Sequence, residues 1–363
     1  MGQLQESALD IKVESNIFSQ LDNYEHEEVV FGYDKASGLK CIIAIHNTVL
    51  GPSLGGTRIW NYNSEGEAVN DVLRLSRGMT YKSAISGINL GGGKAVIIGD
   101  ASKIKTPELL RNYGKIVESL NGKYITAEDV GTSTADMEYI AETTSHVTGQ
   151  DGGSGDPSPF TAYGTYLGIK AAAKEKYGHD DLNGKKIGVQ GIGHVGNYLL
   201  EYLSKENAHL FVTDINKDRV GKACAKYNAT AVASDDIYDI DMDIYAPCAL
   251  GATLNDDTIA RLKCQIVAGS ANNQLKDEVK HGNMLLDKDI LYVPDFLINA
   301  GGVINIYCEL EGTYDKNIAK KRVEYIYDRS LEIFSKAKKD GISTHQAAMQ
   351  MAQERINEAK KAK

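Results

Sequence analysis

The chain has 363 residues, enough for about two domains at the usual size of roughly 150 residues per domain. It has 40 lysine and arginine residues against 49 aspartate and glutamate residues, and the resulting net charge of −9 argues against a nucleic-acid partner, which needs a basic surface. No apolar run approaches the length of about 18 residues that spans a bilayer, so we expect no membrane partner.

Short β-rich runs alternate with helical patterns along the first part of the chain. Ser64, followed by Glu67 in the capping-box spacing, predicts a helix that reaches at least Met79. Thr106 followed by Pro107 predicts another helix start, because proline is favoured at the first helical position. The strands predicted here are 28–33, 40–47, 95–98 and 124–127, and a further short helix is predicted at 135–143.

A cluster rich in glycine, serine and proline, QDGGSGDPSP at 150–159, predicts a loop or linker. After it, strands and helices alternate as in a parallel, doubly wound sheet. We therefore expect domains at 1–150 and 151–334, with a C-terminal helix at 335–363 that packs back on the first domain, although periodicity alone leaves either domain open. The elements predicted after the linker are helices at 161–177, 195–206 and 217–227 and strands at 186–190, 209–213, 242–246, 265–268 and 291–293.

The cysteine pattern and the N-terminus indicate the compartment. The five cysteines are scattered and form no C-x-x-C pair, which suits a reducing environment. The N-terminus lacks the basic region and apolar run of a secretory signal, so we expect a cytoplasmic protein. The eight histidines form no cluster with ligand spacing, and we expect no metal site.

A glycine fingerprint follows the first strand after the linker. Gly191, Gly193 and Gly196 form G-x-G-x-x-G between a strand and a helix, which is the context of a dinucleotide-binding motif. The first glycine allows a tight turn, the second lets the backbone approach a pyrophosphate, and the third lets helix and strand pack closely. His194 and Val195 begin the helix, whose N-terminus attracts phosphate, so they are further candidate cofactor contacts.

An acidic residue stands where an adenine ribose would lie. Asp214 ends the next predicted strand, about 20 residues past Gly191, where a carboxylate hydrogen-bonds the ribose 2′-OH. Its charge would repel a 2′-phosphate, so NAD is favoured over NADP. A structural turn with a solvated aspartate is the alternative. His194 could touch the pyrophosphate or face solvent, and we favour solvent because exposed loop side chains are usual.

Two other glycine clusters lie upstream. Gly91–Gly93 lead into Lys94, Lys82 precedes them, and Asp129 closes a predicted strand. The pattern is not a P-loop, because an alanine follows Lys94 where that motif needs serine or threonine. A glycine triplet lets ligand and backbone come close. A tight turn with a solvated lysine is the ordinary explanation, but the pair of lysines and the acidic strand end favour a binding site.

Seven segments, in this order, resemble the Glu/Leu/Phe/Val dehydrogenase family: GPSLGGTR, GMTYKSAISGINLGGGKAVIIGD, YITAEDVGT, GDPSPFTAYG, DIYAPCALGATLN, IVAGSANNQL and INAGGVIN. They extend over nearly the whole chain and are far more specific than the glycine fingerprint alone. The resemblance implies an α/β fold with an N-terminal substrate domain and a Rossmann-type, doubly wound NAD-binding domain, and an active site in the interdomain cleft. It also implies a homo-oligomer, commonly an octamer.

The resemblance further implies NAD-linked oxidative deamination of an amino acid to a 2-oxo acid and ammonia. Lys82, in MTYK, would hold the substrate carboxylate, and Lys94, in GGGK, would be the catalytic lysine. Asp129, in AEDVG, would be the catalytic aspartate, and Asn299, in INAGG, would lie near the substrate amino group. The remaining matches are Thr161 and Asn272 near the nicotinamide and its ribose, and Gly55 and Gly56 in the loop that approaches the substrate.

This chemistry needs a proton shuttle. A hydride leaves the substrate α-carbon, water adds to the resulting iminium, and ammonia leaves. A lysine that acts as general base must be neutral near working pH, although its ordinary pKa is about 10.4. A second cation such as Lys82 and desolvation would both lower the pKa of Lys94. Asp129 could exchange protons with the amine or the carbinolamine.

The side-chain pocket is expected to be apolar. Leu54 stands where glutamate-oxidising members of the family carry a lysine, so a second substrate carboxylate would be desolvated and unpaired. Ala127, Val303 and Ile306 would complete walls that suit leucine, isoleucine and valine. Because one methylene changes discrimination by only about 1–3 kcal/mol, we expect activity on all three.

Three alternatives stay open from the sequence. Without the resemblance, Leu54 and Val303 could be ordinary core residues, since most such side chains pack cores. Within the family, a preference for valine or phenylalanine is possible. Outside it, the chain could be a dinucleotide-binding module without catalysis, although Lys82, Lys94 and Asp129 are all present.

Overall fold

The computed structural model describes residues 17–150, 153–249 and 251–363. The segment on which the expected absence of a secretory signal rests lies outside these ranges. The described chain divides into two compact units. The first unit runs to Thr80 and resumes at Gly91–Val147, and the second comprises Tyr81–Leu90 and the chain from Thr148 onward. Within the described ranges, no helix combines the length and apolar character needed to cross a membrane.

The first unit is a mixed sheet with helices packed on both faces. Its described strands are β1 (Glu28–Asp34), β2 (Leu39–Asn47), β3 (Ser53–Trp60), β4 (Gly91–Ile98) and β5 (Tyr124–Glu128). Its described helices are α1 (Ile17–Tyr24), α2 (Glu65–Ile85), α3 (Ala101–Ile104), α4 (Pro107–Ser119) and α5 (Thr134–Ala141), of which α2 continues past the boundary into the second unit.

The sheet order is β1-β2-β4-β3-β5. Strand β2 is antiparallel to β1 and β4, whereas β3 is parallel to both of its neighbours, β4 and β5. The four strands predicted in this part are confirmed. Strand β3 was not predicted, because its glycine pair suggested a loop.

Alternation along the strands places side chains in two cores. In β2, Leu39, Cys41, Ile43 and Ile45 face the core beneath α4 and α5, and the residues between them face α2. In β4, Ala95 and Ile97 belong to the first core and Val96 to the second. Because side chains two apart on a strand share a face, Lys94 lies on the same face as Val96.

The predicted helix starts are present, with one difference. The Thr106 side chain accepts a hydrogen bond from the N–H of Leu109, and the following proline occupies the first turn of α4. Ser64 Oγ accepts from the N–H of Glu67 at 3.1 Å, but the Glu67 carboxylate accepts from the N–H of Asn63 at 2.7 Å, outside the predicted box. Helix α2 continues to Ile85, so Lys82 lies in its last turn.

The second unit contains a parallel sheet and most of the helices. Its described strands are β6 (Lys186–Gln190), β7 (His209–Thr213), β8 (Thr230–Ala231), β9 (Ile244–Pro247), β10 (Ile266–Val267) and β11 (Leu291–Tyr292). Its described helices after α2 are α6 (Ser158–Tyr177), α7 (His194–Lys205), α8 (Lys217–Tyr227), α9 (Asp256–Arg261), α10 (Glu278–Asp287), α11 (Asp295–Ile298), α12 (Gly301–Leu310), α13 (Lys316–Val323), α14 (Tyr325–Asp340) and α15 (Thr344–Lys361).

The strand order of the second unit is β11-β10-β9-β6-β7-β8, with every neighbouring pair parallel. Counted from β6, this is the order 3-2-1-4-5-6 of the Rossmann fold. In such sheets the ligand binds outside the carboxyl ends of the strands, at the point where the strand order reverses. That point adjoins the end of β6, where the glycine fingerprint begins, and the predicted fold class is confirmed.

The C-terminal segment differs in detail from the single helix predicted at 335–363. Gly341, with a φ of 66°, ends α14, and α15 begins afresh after it. A glycine suits this left-handed conformation, because a Cβ would be strained there. Both helices belong to the second unit.

Helix α15 is tied to the end of α2. The guanidinium of Arg355 donates to the backbone oxygens of Ser83 (3.2 Å), Ala84 (2.9 Å) and Ile88 (2.9 Å), and to Asn89 Oδ1 (2.8 Å). The last carbonyl groups of a helix lack partners within that helix. A cation at this end also interacts favourably with the helix dipole. Arg355 thus adds side-chain donors at the end of α2, where the carbonyl groups of Ser83 and Ala84 otherwise accept only from nearby donors.

Two histidines lie in contact beneath α2 in the first unit. The rings of His26 and His46 meet edge to face, with centroids 4.8 Å apart. His46 Nδ1 is 2.8 Å from Thr80 Oγ1, and its Nε2 is 2.9 Å from the carbonyl oxygen of Tyr24. Burial lowers the pKa of His46 from 6.5 to about 4. Burial, with a further contribution from His46, lowers the pKa of His26 to about 3.

We expect the free energy of unfolding to fall as the pH drops from 6.5 to about 4. In this interval the unfolded histidines bind protons, whereas the folded ones, whose pKa is lower, stay neutral. His46 contributes at most about 1.4 kcal/mol per pH unit. Replacing His46 with glutamine should make the midpoint of thermal unfolding less dependent on pH in this interval. The control is His146→Gln, because the His146 side chain is 28% exposed. Equal pH dependence in wild type and His46→Gln would contradict the expectation.

Candidate active site

The predicted catalytic pair of the first unit is in direct contact. Lys94 lies on β4 and is 6% exposed, and Asp129 directly follows β5. Lys94 Nζ donates to Asp129 Oδ2 at 2.7 Å. Strand β3 separates β4 from β5, so the lysine side chain must cross that strand to reach the carboxylate.

Glycine at position 56 makes this crossing possible. The register of β3 pairs Gly56 with Ala127, and Thr57 with Ala95 of β4, so Gly56 lies in the row of Lys94. A Cβ on Gly56 would stand 2.8 Å from Asp129 Cβ and 2.6 Å from the carbonyl oxygen of Glu128. A side chain there would therefore displace the strand end that carries Asp129.

The expected substrate-approach loop is a strand. Leu54, Gly55 and Gly56 lie within β3, and Leu54 is only 1% exposed. A Cβ on Gly55 would stand 1.8 Å from the carbonyl oxygen of Gly93. Gly91–Gly93, expected to let a ligand approach, instead let β4 approach other protein segments: a Cβ on Gly92 would stand 2.1 Å from a backbone nitrogen of α2. Close packing of the unit explains these glycines.

The turn after β5 fixes the backbone of Asp129. The N–H of Asp129 donates to Thr132 Oγ1 at 2.9 Å, and the N–H of Thr132 donates to the carbonyl oxygen of Asp129 at 3.0 Å. Burial alone would raise the pKa of Asp129, but Lys94 and Arg58 outweigh it and lower the pKa from 3.8 to about 2. The carboxylate is therefore ionised at neutral pH.

Arg58 is a site residue that the sequence analysis missed. Its Nε donates to Asp129 Oδ2 at 3.0 Å, and its Nη1 donates to Asp71 Oδ2 at 3.0 Å. It stands in β3 between two buried residues, Thr57 and Ile59, and a charge in such a strand needs a partner. This position was the signal available in the sequence. Arg58 also closes GPSLGGTR, one of the quoted family segments.

Three predicted site residues meet in the second unit. Asn272 Oδ1 accepts hydrogen bonds from Lys82 Nζ at 3.1 Å and from Asn299 Nδ2 at 2.7 Å. Asn299 Nδ2 also donates to the carbonyl oxygen of Ser270 at 3.1 Å. The amide of Asn272 thus joins the last turn of α2 to the segment before α12.

The side-chain oxygen of Asn299, Oδ1, is available to accept a hydrogen bond. Asn299 is 6% exposed, and its buried Oδ1 accepts no hydrogen bond within the described chain. An unpaired buried acceptor is costly, and a bound donor would relieve that cost. Thr161 lies nearby along the INAGG segment, because a Cβ on Gly302 would stand 2.8 Å from Thr161 Oγ1. Thr161 Oγ1 itself donates to the carbonyl oxygen of Pro157 at 3.0 Å.

The glycine fingerprint fits a dinucleotide in its geometry. Gly191 has a φ of 100°, which favours glycine, and a Cβ on Gly196 would stand 2.1 Å from the carbonyl oxygen of Gly191. A Cβ on Gly193 would meet no protein atom within 4 Å, so open space adjoins this residue at the start of α7. Val195 is half-buried in the first turn, and His194 is exposed, as favoured from the sequence.

Asp214 is buried at the end of β7, beside the fingerprint. Its Oδ2 accepts from the N–H of Ile192 at 2.6 Å, and its Oδ1 accepts from the N–H of Asn216 at 2.8 Å. Each carboxylate oxygen can accept about two hydrogen bonds, so one further position remains on each. The side chain supports the loop and can still receive a ribose hydroxyl.

The expected pocket residues lie on separate elements. In the first unit, Leu54 and Ala127 are buried in β3 and β5. In the second unit, Val303 is buried and Ile306 half-buried on α12, three positions apart on one helix face. Among the described residues, no group of three or more histidine, cysteine, aspartate or glutamate side chains could hold a metal ion.

Family models match both units. Residues 26–146 match the Glu/Leu/Phe/Val dehydrogenase dimerisation domain, and residues 211–363 match the Glutamate/Leucine/Phenylalanine/Valine dehydrogenase domain. The chain belongs to the Glu/Leu/Phe/Val dehydrogenase family. It is an amino acid dehydrogenase, and the cofactor class of this family is a nicotinamide dinucleotide.

Relatives of this family member align over nearly its whole length. A leucine dehydrogenase of Thermoactinomyces intermedius is 56% identical over 95% of this chain and 94% of its own, and that of Bacillus subtilis is 53% identical over 96% of each. A solved structure, the L-tryptophan dehydrogenase of Nostoc punctiforme, superposes with a TM-score of 0.84 at 46% identity, covering 95% of this chain and 99% of its own.

Gly193→Ala should weaken dinucleotide binding without lowering stability, because the added methyl group meets no protein atom yet occupies the space at the helix start. NADH binding, followed by fluorescence titration, and thermal unfolding measure the two effects. The matched control is Gly221→Ala in α8, which also adds a methyl group in open space. It should leave binding unchanged and stabilise the helix by up to about 1 kcal/mol. Equal NADH affinity in Gly193→Ala and wild type would contradict the assignment.

Proposed function

We propose that the chain catalyses the reversible, NAD-dependent oxidative deamination of L-leucine and other branched-chain amino acids to 2-oxo acids and ammonia. The observation that carries the proposal is the 2.7 Å contact between Lys94 Nζ, within β4, and Asp129 Oδ2, just after β5, across strand β3 of the same sheet. It pairs a nearly buried amine with a carboxylate, the two groups that the proton transfers of this reaction need. Similarity to leucine dehydrogenases at 53–56% identity supports the substrate.

Lys82 and Asn299 would bind the polar end of the amino acid. Lys82 Nζ would hold the α-carboxylate through a charge-assisted hydrogen bond. The buried Oδ1 of Asn299 would accept from the α-ammonium group and so gain the partner it lacks in the described chain. Asn272, which contacts both side chains, would keep them in register and, with Thr161, lie near the nicotinamide and its ribose.

The reaction consumes an amino acid, NAD⁺ and water and yields a 2-oxo acid, ammonium, NADH and a proton. A bound nicotinamide would supply the acceptor for the hydride of the substrate α-carbon, once the α-ammonium group has lost the proton that the overall reaction releases. Lys94, after passing its proton to Asp129 across their contact, would remove a proton from the attacking water, and Asp129 would deliver its proton to the departing amine. The direct contact between the two side chains gives the proton a path from one to the other.

The preference for NAD would rest on Asp214. Its buried carboxylate has one acceptor position left on each oxygen, which suits the two hydroxyl groups of an adenine ribose. A 2′-phosphate would bring a second negative charge against it, and like charges repel strongly where water is excluded. Gly191, Gly193 and the N-terminus of α7, with His194 and Val195, would receive the pyrophosphate.

The side-chain preference would rest on apolar walls. Leu54 and Ala127 in the first unit, and Val303 and Ile306 in the second, carry no group that could pair a substrate carboxylate. Gly56, which is half-buried, would leave the backbone of β3 open to the substrate near Leu54, whereas Gly55 is buried against β4. Relatives named L-tryptophan dehydrogenase (47% identical) and valine dehydrogenase (48% identical) align over 96% and 93% of this chain, so larger and smaller apolar substrates belong in the same assay.

We also propose that the protein acts in the cytoplasm as a homo-oligomer, and as an octamer. The matched model of residues 26–146 is that of a dimerisation domain. The cysteines of the described chain are all unpaired, which suits a reducing compartment. We assign the catalytic residues to 1–150, and the NAD contacts together with Asn299, Val303 and Ile306 to 151–334.

Initial rates of nicotinamide reduction should be highest with L-leucine and NAD, lower with isoleucine and valine, and near zero with glutamate. The panel also includes phenylalanine and tryptophan, and NADP in place of NAD. Lys94→Ala should lower kcat by a factor of about 10²–10⁴, the usual contribution of a general base, with NADH affinity unchanged. The control is Lys40→Ala, which removes an exposed lysine from the neighbouring strand β2.

A preference for phenylalanine or tryptophan would retain the mechanism and reject the proposed pocket. Activity of Lys94→Ala close to that of wild type would reject the catalytic role of this lysine. If the wild-type chain bound NADH but oxidised no amino acid in the panel, the chain would be a dinucleotide-binding module instead.

Asp214→Ala should raise KM for NAD and reduce the preference for NAD over NADP, because both the ribose contact and the repulsion of a 2′-phosphate are lost. The ratio of kcat/KM for the two cofactors measures this effect. The control is Asp218→Ala, which removes an exposed carboxylate from the first turn of α8. An unchanged ratio in Asp214→Ala would show that the carboxylate only supports the loop.

A further inference from the structure

Arg58 connects the proposed catalytic pair to a second acidic group. Its guanidinium is shared between two carboxylates, with Nε on Asp129 Oδ2 and Nη1 on Asp71 Oδ2, both at 3.0 Å. Only 23% of its side chain is exposed. Arginine presents its donors in a fixed plane, so contact with both carboxylates fixes the direction of each.

The far end of this arrangement is anchored in α2. Asp71 Oδ2 also accepts from the hydroxyl of Tyr62 at 2.7 Å, and Asp71 Oδ1 accepts from Arg74 Nη2 at 3.2 Å. Burial, with a further contribution from Asp71, raises the pKa of Tyr62, so its phenol remains a donor. Two donors besides Arg58 thus hold Asp71, so the Asp71 carboxylate does not move freely with the Arg58 guanidinium.

The two oxygens of Asp129 have different surroundings. Oδ2 accepts from both Lys94 and Arg58, and Oδ1 accepts no hydrogen bond from any described residue. A carboxylate held by a lysine alone could rotate about its side-chain torsions and exchange its oxygens. The second donor removes that freedom, because the Arg58 plane is itself fixed by Asp71.

We propose that Arg58 is a positioning residue for the reaction: it holds Asp129 so that Oδ2 faces Lys94 and Oδ1 is presented to the substrate. The inference rests on the proposed function. Arg58 touches neither substrate nor cofactor in this assignment and acts only through Asp129. Its positive charge also offsets the burial of the carboxylate, since Lys94 and Arg58 together hold the pKa of Asp129 below its ordinary value.

Two substitutions separate charge from orientation. Arg58→Met removes both, and Arg58→Lys retains the charge but cannot contact two carboxylates in one plane. We expect kcat for leucine to fall in both variants by about 100-fold, the usual cost of misplacing a catalytic group by about 1 Å, with little change in KM. The acid limb of the pH profile should move to higher pH in Arg58→Met and stay near its wild-type position in Arg58→Lys.

The control is Arg111→Met, which breaks a comparable contact in the same unit. Arg111 donates through Nε and Nη2 to Glu142 at 2.6 and 3.2 Å, and the pair is exposed. It should retain wild-type kcat. Rates are normalised to the NADH-binding stoichiometry of each full-length variant, so that a partly unfolded preparation does not lower the apparent kcat. If Arg58→Met does not fold, Tyr62→Phe serves as a second variant. It removes only the hydroxyl that donates to Asp71, and we expect it to lower kcat measurably.

A crystal structure of Arg58→Lys tests the inference without any turnover. We expect the Asp129 carboxylate to turn about its side-chain torsions, so that its contact with Lys94 Nζ lengthens or is lost. An unmoved Asp129, or a kcat equal to that of wild type in both Arg58 variants, would overturn the inference. If the wild-type chain oxidises no amino acid, the proposed function fails, and the position of Asp129 in this crystal structure still decides whether Arg58 positions it.

Discussion

The ion pair between Lys94 and Asp129 is the interaction on which the first unit depends. Two charged groups in a mostly apolar sheet are tolerated only when they are paired and hydrogen-bonded. The order β4-β3-β5 puts the lysine and the carboxylate on either side of one strand, and glycine at position 56 leaves the space for their contact. Arg58 lies on the same face of that strand and supplies the second cation. Strand order, glycine placement and charge thus form one constraint.

The second unit meets a different requirement, the close approach of backbone to ligand. Each glycine of the fingerprint serves this approach differently. Gly191 adopts a positive φ, Gly196 allows the helix to touch the strand, and Gly193 leaves open space. Asp214 fixes this loop through the N–H of Ile192 and remains able to accept further hydrogen bonds. The amide of Asn272 performs a similar joining task, because it contacts both Lys82 and Asn299.

Much of this architecture follows from local pattern. Capping residues, apolar periodicity and the glycine fingerprint located the longest helices and every described strand except β3 and β8, whereas helices α1, α3 and α9–α12 were not predicted. Strand β3 escaped notice because Gly55 and Gly56 have poor strand propensity, and only packing against neighbouring strands explains them. Arg58 was missed for a related reason. Its partners Asp71 and Asp129 are distant in sequence, and strand pairing, which a single sequence does not display, brings them together.

The contact of Arg355 with the end of α2 has a consequence for the order in which the chain becomes competent. The guanidinium bonds carbonyl groups of Ser83 and Ala84 that precede it by 272 and 271 residues. During translation, Ser83 and Ala84 are synthesised long before Arg355. Until then the carbonyl groups of Ser83 and Ala84 accept only from local donors, among them the N–H groups of Ile88 and Gly87. The last turn of α2 therefore gains its remaining donors only after α15 has been synthesised, and in a nascent chain stalled before α15 the turn that bears Lys82 is held by local hydrogen bonds alone.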